Sequence, residues 1–218
     1  LMAHKRLIVA LDFKNFDEMS KFAEKLDPNK CIVKVGLQLF ISDGLRVLDY
    51  LSDKGFDIFL DLKLHDIPNT VMKAIEQITK FNVLMTTIHL QGGLEMIKAA
   101  IEVKKQTKLI GVSLLTSLDT TDTELMYGNQ LNDQFIKLLK VAEQSEIDGI
   151  VCSPKELQSI TTNKLIKVVP GIRNSKLADD QKRVMTAKEA YENGADYIVV
   201  GRPITLSENI ENTVDEYL

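Results

Sequence analysis

The stretch Arg6-Leu7-Ile8-Val9-Ala10-Leu11-Asp12-Phe13-Lys14-Asn15 decides the fold. Its first half is apolar without alternation, which is how a strand reads when both of its faces are covered. Its second half, the loop Asp12-Phe13-Lys14-Asn15, contains no G-x-G-x-x-G. The glycine turn that opens a dinucleotide-binding, doubly wound sheet is therefore missing. Further short runs rich in β-branched residues follow at Cys31 to Val35, Phe56 to Leu60, Val83 to His89, Leu109 to Leu114, Gly149 to Cys152, Ile166 to Val169 and Tyr197 to Val200. Between them lie segments of helical period. Phe16, Met19, Ala23 and Leu26 share one face, as do Val71, Ile75 and Ile78, then Leu94, Ile97 and Ile101, then Phe135, Leu138, Leu139 and Ala142. Eight strands alternating with helices predict a (β/α)8 TIM barrel, α/β in class, with the open doubly wound sheet as its rival.

The chain has 218 residues and no low-complexity linker or break in composition, so one domain spanning 1–218 is expected. With 44% hydrophobic and 27% charged residues it has the make-up of a globular protein rather than a disordered one. A formal charge of -4 argues against a nucleic-acid partner, whose footprint is basic. The small cluster His4-Lys5-Arg6 reads as a solvated entrance to the first strand. No apolar stretch approaches the roughly 20 residues of a membrane helix, and no charged segment leads into a secretory apolar core. Cys31 and Cys152 sit in apolar runs and read as reduced packing residues, which fits a reducing cytoplasm.

In a barrel of this kind chemistry sits where strands end at their C-terminal side, so charges that close apolar runs are the candidates. They are Asp12, Lys34 in Val33-Lys34-Val35-Gly36, Asp61 and Lys63 in Leu60-Asp61-Leu62-Lys63, and Asp66. Two residues apart on an extended strand, Asp61 and Lys63 project to the same face, toward the mouth. Burying them is costly unless function requires it. Asp66 and Asn69 also read as N-caps, with Pro68 in the first helical turn. Gly201-Arg202 closes the eighth strand, where such barrels commonly hold phosphate. The polar, glycine-led stretch 171–181 reads as an idle loop or as a lid. Thr116-Ser117 reads as a turn or as a hydrogen-bonding edge. His65 and His89 could each be a base or a metal ligand, but they lack an H-x-H or paired-carboxylate companion, so packed or hydrogen-bonded histidines are expected. Thr205-Leu206-Ser207-Glu208 has capping-box spacing and is expected to start a last helix through Ile210, Val214 and Tyr217.

The string Asp61-Leu62-Lys63-Leu64-His65-Asp66-Ile67-Pro68-Asn69-Thr70 resembles the D-x-K-x-x-D-I-P-N-T signature of orotidine 5'-phosphate decarboxylases. The likeness extends through Leu11-Asp12, Lys34-Val35-Gly36-Leu37, His89 with Gly92-Gly93, Leu115-Thr116-Ser117, Pro170-Gly171-Ile172-Arg173, Asp180-Gln181-Lys182-Arg183 and Gly201-Arg202-Pro203-Ile204. The resemblance implies loss of CO2 from C6 of orotidine 5'-phosphate to give UMP, with no cofactor and no metal. Lys63 would stabilise the C6 carbanion and then protonate it, Asp61 would fix Lys63 beside the substrate carboxylate, and Lys34 and Asp66 would complete an array of alternating charge. It further implies a homodimer in which Asp66, Ile67 and Thr70 complete the partner's site. Asp12 with Lys34 would hold the ribose, Thr116 the pyrimidine edge, and Arg173, Gln181, Gly201 and Arg202 the phosphate. Two alternatives remain at this point: a metal-dependent sugar-phosphate lyase, decarboxylase or epimerase of the same barrel type, and a barrel that binds phosphonucleotides without turnover. The former would need an acidic ligand where this chain has Lys34; the latter would not need Asp61 and Lys63 together.

Overall fold

The computed structural model describes residues 5–174 and 185–218. Eight parallel strands close on themselves: β1 (Leu7–Ala10), β2 (Ile32–Gly36), β3 (Ile58–Leu64), β4 (Val83–His89), β5 (Lys108–Val112), β6 (Gly149–Val151), β7 (Ile166–Val169) and β8 (Tyr197–Val200). Neighbours in sequence are neighbours in the barrel, and β8 returns to β1 with Leu7 opposite Ile198 and Val9 opposite Val200. The helices are α1 (Phe16–Ala23), α2 (Leu37–Asp53), α3 (Pro68–Ile78), α4 (Gly93–Val103), α5 (Thr120–Tyr127), α6 (Leu131–Ser145), α7 (Pro154–Leu157), α8 (Ala187–Glu192), α9 (Arg202–Thr205) and α10 (Ile210–Asp215). This is the expected (β/α)8 barrel, and none of the described helices is long and apolar enough to cross a membrane.

Strand alternation divides the apolar side chains into two cores. Ile8, Ala10, Ile32, Phe59, Met85, Ile110, Val168, Tyr197 and Val199 fill the barrel interior. Leu7, Val9, Val33, Val35, Ile58, Leu60 and Ile88 point outward and pack with the helices, for example against Met19, Leu48 and Ile75. The continuous apolar runs exist because both faces are covered in this way. The same alternation places the charges. Lys34 lies between the outward Val33 and Val35, and Asp61 follows the inward Phe59 by two, so both fall on the interior face, at the C-terminal layer of the barrel.

Local chemistry sets the connections. Asn15 caps α1 by accepting the Glu18 N–H at 3.0 Å, and the acidic Asp17 and Glu18 of its first turn suit the helix dipole. Two capping expectations fail. Thr205 ends α9 rather than starting the last helix, which is α10 with Asn209 as its cap, accepting from the Asn212 N–H. Neither Asp66 nor Asn69 caps α3: with Pro68 at the first helical position the cap residue is Ile67, and Asn69 is already inside the helix. At the entrance to β1 Lys5 is half-buried and Arg6 exposed, and both have partners. Lys5 pairs with Asp57, and the Arg6 guanidinium lies 3.9 Å from the Tyr191 ring centroid and donates to the Ala195 carbonyl; His4 lies outside the described residues. Cys31 and Cys152 are free and buried as expected, and burial pushes the Cys31 thiol up to about 12, so it stays protonated and unreactive at neutral pH.

Candidate active site

The end of β3 departs from the extended strand that its sequence suggests. Lys63 takes φ 51°, a left-handed conformation, and the β3–β4 register breaks between Leu60 and Leu64. A left-handed non-glycine residue costs about 1–2 kcal/mol, so its surroundings must hold it there. They do so through its neighbours. The Lys63 ammonium lies 2.8 Å from both oxygens of Asp61, a two-pronged contact, and the Lys63 N–H donates to the Thr87 hydroxyl at 2.8 Å. The expected meeting of Asp61 and Lys63 is thus present, brought about by a turn of the backbone rather than by strand alternation.

Asp61 is the hub. Its side chain is only 12% exposed; it also accepts a hydrogen bond from Thr87 Oγ1 at 2.9 Å and forms an ion pair with the Lys34 ammonium at 3.7 Å. Leaving a buried carboxylate of this kind unpaired would cost about 3–5 kcal/mol. Lys34, 13% exposed, reaches on to Asp12 Oδ1 at 3.3 Å. The result is a chain of alternating sign, Asp12–Lys34–Asp61–Lys63, across the ends of β1, β2 and β3. Gly36 leaves room for it: a Cβ there would stand 3.1 Å from Lys34 Nζ and 3.5 Å from Asp12 Oδ1.

Beyond Lys63 the chain leaves the barrel. His65 through Thr70 are all exposed on this chain, and Ile67 shows 66% of its surface. Asp66 accepts the Ile67 N–H at 2.7 Å and lies away from the Asp61 hub as far as the described contacts go. The rings of His65 and His89 face each other at a tilt of 35°, with centroids 5.4 Å apart. Burial pushes His89 down from the usual imidazole value, with His65 and Lys63 acting in the same direction and Asp61 against it. No group of three or more His, Cys, Asp or Glu is gathered for a metal among the described residues.

The other side of the mouth is built differently. A cavity of about 620 Å³ opens beyond the ends of β5, β6 and β7, lined by Thr116, Ser117, Ser153, Lys155, Pro170 and Gly171 among others. That size suits a small organic ligand. Glu156, also in its wall, is occupied structurally, accepting the Ser153 N–H at 2.7 Å in the capping box of α7. Arg173 is held by its own N–H bonding Met185 O at 3.0 Å, next to the bridge that pairs Ile172 with Met185. Gly201 follows β8, back beside β1, where an added Cβ would stand 3.6 Å from the Ala10 Cβ and 3.9 Å from Asp12 Oδ2; Arg202 is exposed at the start of α9. Gln181, with Asp180, Lys182 and Arg183, lies outside the described residues. Among the described residues, Thr87 is the site residue that the sequence pattern does not single out. Its signal is slight: two adjacent hydroxyl residues, Thr86-Thr87, in the middle of an otherwise apolar buried run.

Fold and site together define a (β/α)8 barrel with an ammonium–carboxylate array at its C-terminal mouth, the face where such barrels carry out chemistry. The model of the orotidine 5'-phosphate decarboxylase / HUMPS family matches residues 5–217. An orotidine 5'-phosphate decarboxylase of Pseudomonas fluorescens (strain SBW25) is 42% identical over 208 residues, covering 91% of this chain and 90% of that protein. One of Malacoplasma penetrans (strain HF-2) is 40% identical, covering 95% and 94%. The crystal structure of orotidine 5'-phosphate decarboxylase from Lactobacillus acidophilus superposes with a TM-score of 0.87 at 35% identity, covering 98% of this chain and 99% of that one. The chain belongs to the orotidine 5'-phosphate decarboxylase / HUMPS family.

Proposed function

We propose that this protein decarboxylates orotidine 5'-phosphate to UMP and CO2, with Lys63 as proton donor. The observation that carries the reading is the Lys63 ammonium fixed on both oxygens of Asp61 inside the barrel mouth. As the C6–carboxylate bond breaks, its electron pair stays on C6 with no neighbouring group to delocalise it. A cation already held in place stabilises that charge without reorganising. Lys63 Nζ then gives its proton to C6 and regains one from solvent. Asp61 anchors Lys63, and its negative charge faces the substrate carboxylate, a repulsion relieved as CO2 departs. Lys34 and Asp12 take the ribose hydroxyls.

Thr116 contacts the pyrimidine edge from the cavity across the mouth, while Arg173, Gln181, Gly201 and Arg202 take the phosphate. Binding energy gathered there, remote from C6, serves to position the reacting bond. Asp66, Ile67 and Thr70 act in the site of a partner subunit; their shared exposure, with an isoleucine open to solvent, suits a surface that a second copy covers. The free, protonated cysteines suit a reducing cytoplasm.

The metal-dependent reading is the weaker one. Two ammoniums, those of Lys34 and Lys63, already lie within 4 Å of Asp61 and occupy the electrostatic position a divalent ion would need. Purified protein should convert orotidine 5'-phosphate to UMP and CO2 equally well before and after treatment with a chelator, followed by loss of substrate absorbance. Activity that disappears with the chelator and returns with a divalent metal would overturn the cofactor-free reading.

A further inference from the structure

The geometry points to Thr87 as the residue that positions the proton donor. Met85, a barrel-interior residue, precedes it by two on β4, so Thr87 projects toward the mouth beside the end of β3. It is completely buried, and its one hydroxyl makes two bonds to the catalytic pair: it receives the Lys63 N–H at 2.8 Å and reaches Asp61 Oδ1 at 2.9 Å. Proton bookkeeping fixes the direction of both. A backbone N–H can only donate, so Thr87 Oγ1 accepts from Lys63, and its own hydrogen is left for the carboxylate.

The need for such a residue comes from the backbone. Where β3 turns into the left-handed Lys63, the ladder to β4 is interrupted between Leu60 and Leu64, and a part-buried N–H that loses its strand partner needs another acceptor. The Thr87 hydroxyl is that acceptor. The same oxygen atom, through its hydrogen, sets the rotation of the Asp61 carboxylate that grips the Lys63 ammonium. Both ends of the Lys63 residue are thereby referred to one fixed point on a neighbouring strand: the main chain directly, the ammonium by way of Asp61.

The adjacent Thr86 provides an internal control. It is equally buried, but its hydroxyl donates to the Leu60 carbonyl at 2.8 Å, a strand atom outside the charged array. Removing either hydroxyl deletes a buried hydrogen bond, whereas only the loss at Thr87 releases Lys63.

The inference rests on the reading that Lys63 protonates C6, so wild-type turnover of orotidine 5'-phosphate is measured first; its absence would sink that reading and not this one. With wild-type activity in hand, kcat, KM and melting temperature are compared for Thr87→Val, Thr87→Ser and Thr86→Val. Misplacing a catalytic group by about 1 Å costs on the order of 10²-fold, so Thr87→Val should lower kcat by about that factor and change KM by less than about threefold. Thr87→Ser should recover kcat to within about fivefold, and Thr86→Val should lower the melting temperature while keeping kcat within about threefold. Equal kcat for the two valine variants, or wild-type kcat in Thr87→Val, would overturn the assignment. Should Thr87→Val fail to fold, Thr87→Cys against Thr87→Ser takes its place, being close in shape but weak in hydrogen bonding. There a kcat at least about tenfold lower for cysteine is expected, and equal values would overturn it.

Discussion

The two halves of the barrel mouth are organised on opposite principles. At the ends of β1 to β4 the functional groups already satisfy one another: Asp12, Lys34, Asp61, Lys63 and Thr87 form a continuous set of contacts between 2.8 and 3.7 Å. At the ends of β5 to β7 the corresponding space is a cavity of about 620 Å³, with Thr116 and Ser117 exposed in its wall. In a closed eight-stranded barrel β2 and β6 lie across the mouth from each other, so a ligand spanning it meets a wall of paired charges on one side and an open polar one on the other. The difference follows from what each half must do. Charges that act on a transition state work best when they are oriented before it arrives, because reorganisation is part of the barrier. Groups that bind the unreacting remainder of a ligand need only to be reachable, and their contacts form on binding.

If the Asp61–Lys63 pair of the charged half acts on the transition state, its removal should appear in kcat and not in binding. The largest effect is expected for Lys63→Ala, which deletes both the cation beside C6 and the proton. Positioned acid catalysis and electrostatic stabilisation each contribute about 10²-fold or more, so kcat should fall by about 10⁴-fold or beyond. Binding of UMP, measured by calorimetry, should change little. A variant that turned over at near wild-type rates would remove Lys63 from the mechanism and with it the division between the two halves.

A second measurement asks whether the charged half is complete in one chain. Asp66 accepts only the neighbouring Ile67 N–H among its described hydrogen bonds, and the segment around it is exposed. If it completes a partner's site in a two-fold dimer, equal amounts of Asp66→Ala and Lys63→Ala chains, each inactive alone, form mixed dimers with one intact site out of two. Random exchange then restores about one quarter of wild-type activity. Subunit exchange demonstrated by labelled chains, with no recovery, would place the whole of the charged half within a single chain.

How much of this could be read from sequence follows the same division between regular and irregular backbone. β4, β7 and β8 begin and end where the apolar runs Val83–His89, Ile166–Val169 and Tyr197–Val200 do, because coverage on both faces leaves its mark on every residue. β3 runs four residues past Leu60, to Leu64, because its charged end looks like a loop in an apolarity pattern yet is held by β4. Alternation put Asp61 on the interior face, and it brought Lys63 to Asp61 for a reason the backbone does not use. The left-handed turn at Lys63 depends on Thr87, 24 residues later, and no local pattern encodes an acceptor on another strand. Capping by Asp66 failed for a simpler reason: proline at the first helical position moves the cap to Ile67, whose side chain has no acceptor.

The smallest perturbation tests how closely the charged half is fitted. Gly36 has φ −99° and ψ −175°, a conformation open to any residue, so its lack of a side chain answers to space and not to backbone strain. A methyl group there would stand 3.1 Å from Lys34 Nζ. The ammonium is the free end of a flexible side chain and can yield by a few tenths of an ångström, but it already bridges Asp12 and Asp61, at 3.3 and 3.7 Å, and movement alters both contacts. Since a misplacement of about 1 Å costs on the order of 10²-fold, a shift of that smaller size in Gly36→Ala should lower kcat/KM by about three- to tenfold. The melting temperature should stay within a few degrees of wild type, because the change leaves the apolar core untouched. An enlargement of similar size at Ser117, Ser117→Thr, opens onto the cavity and should be tolerated with a smaller loss. Equal losses at Gly36 and Ser117 would mean that the open half is as closely fitted to its ligand as the charged half is to itself, and the contrast between preorganised and ligand-completed walls would then fail.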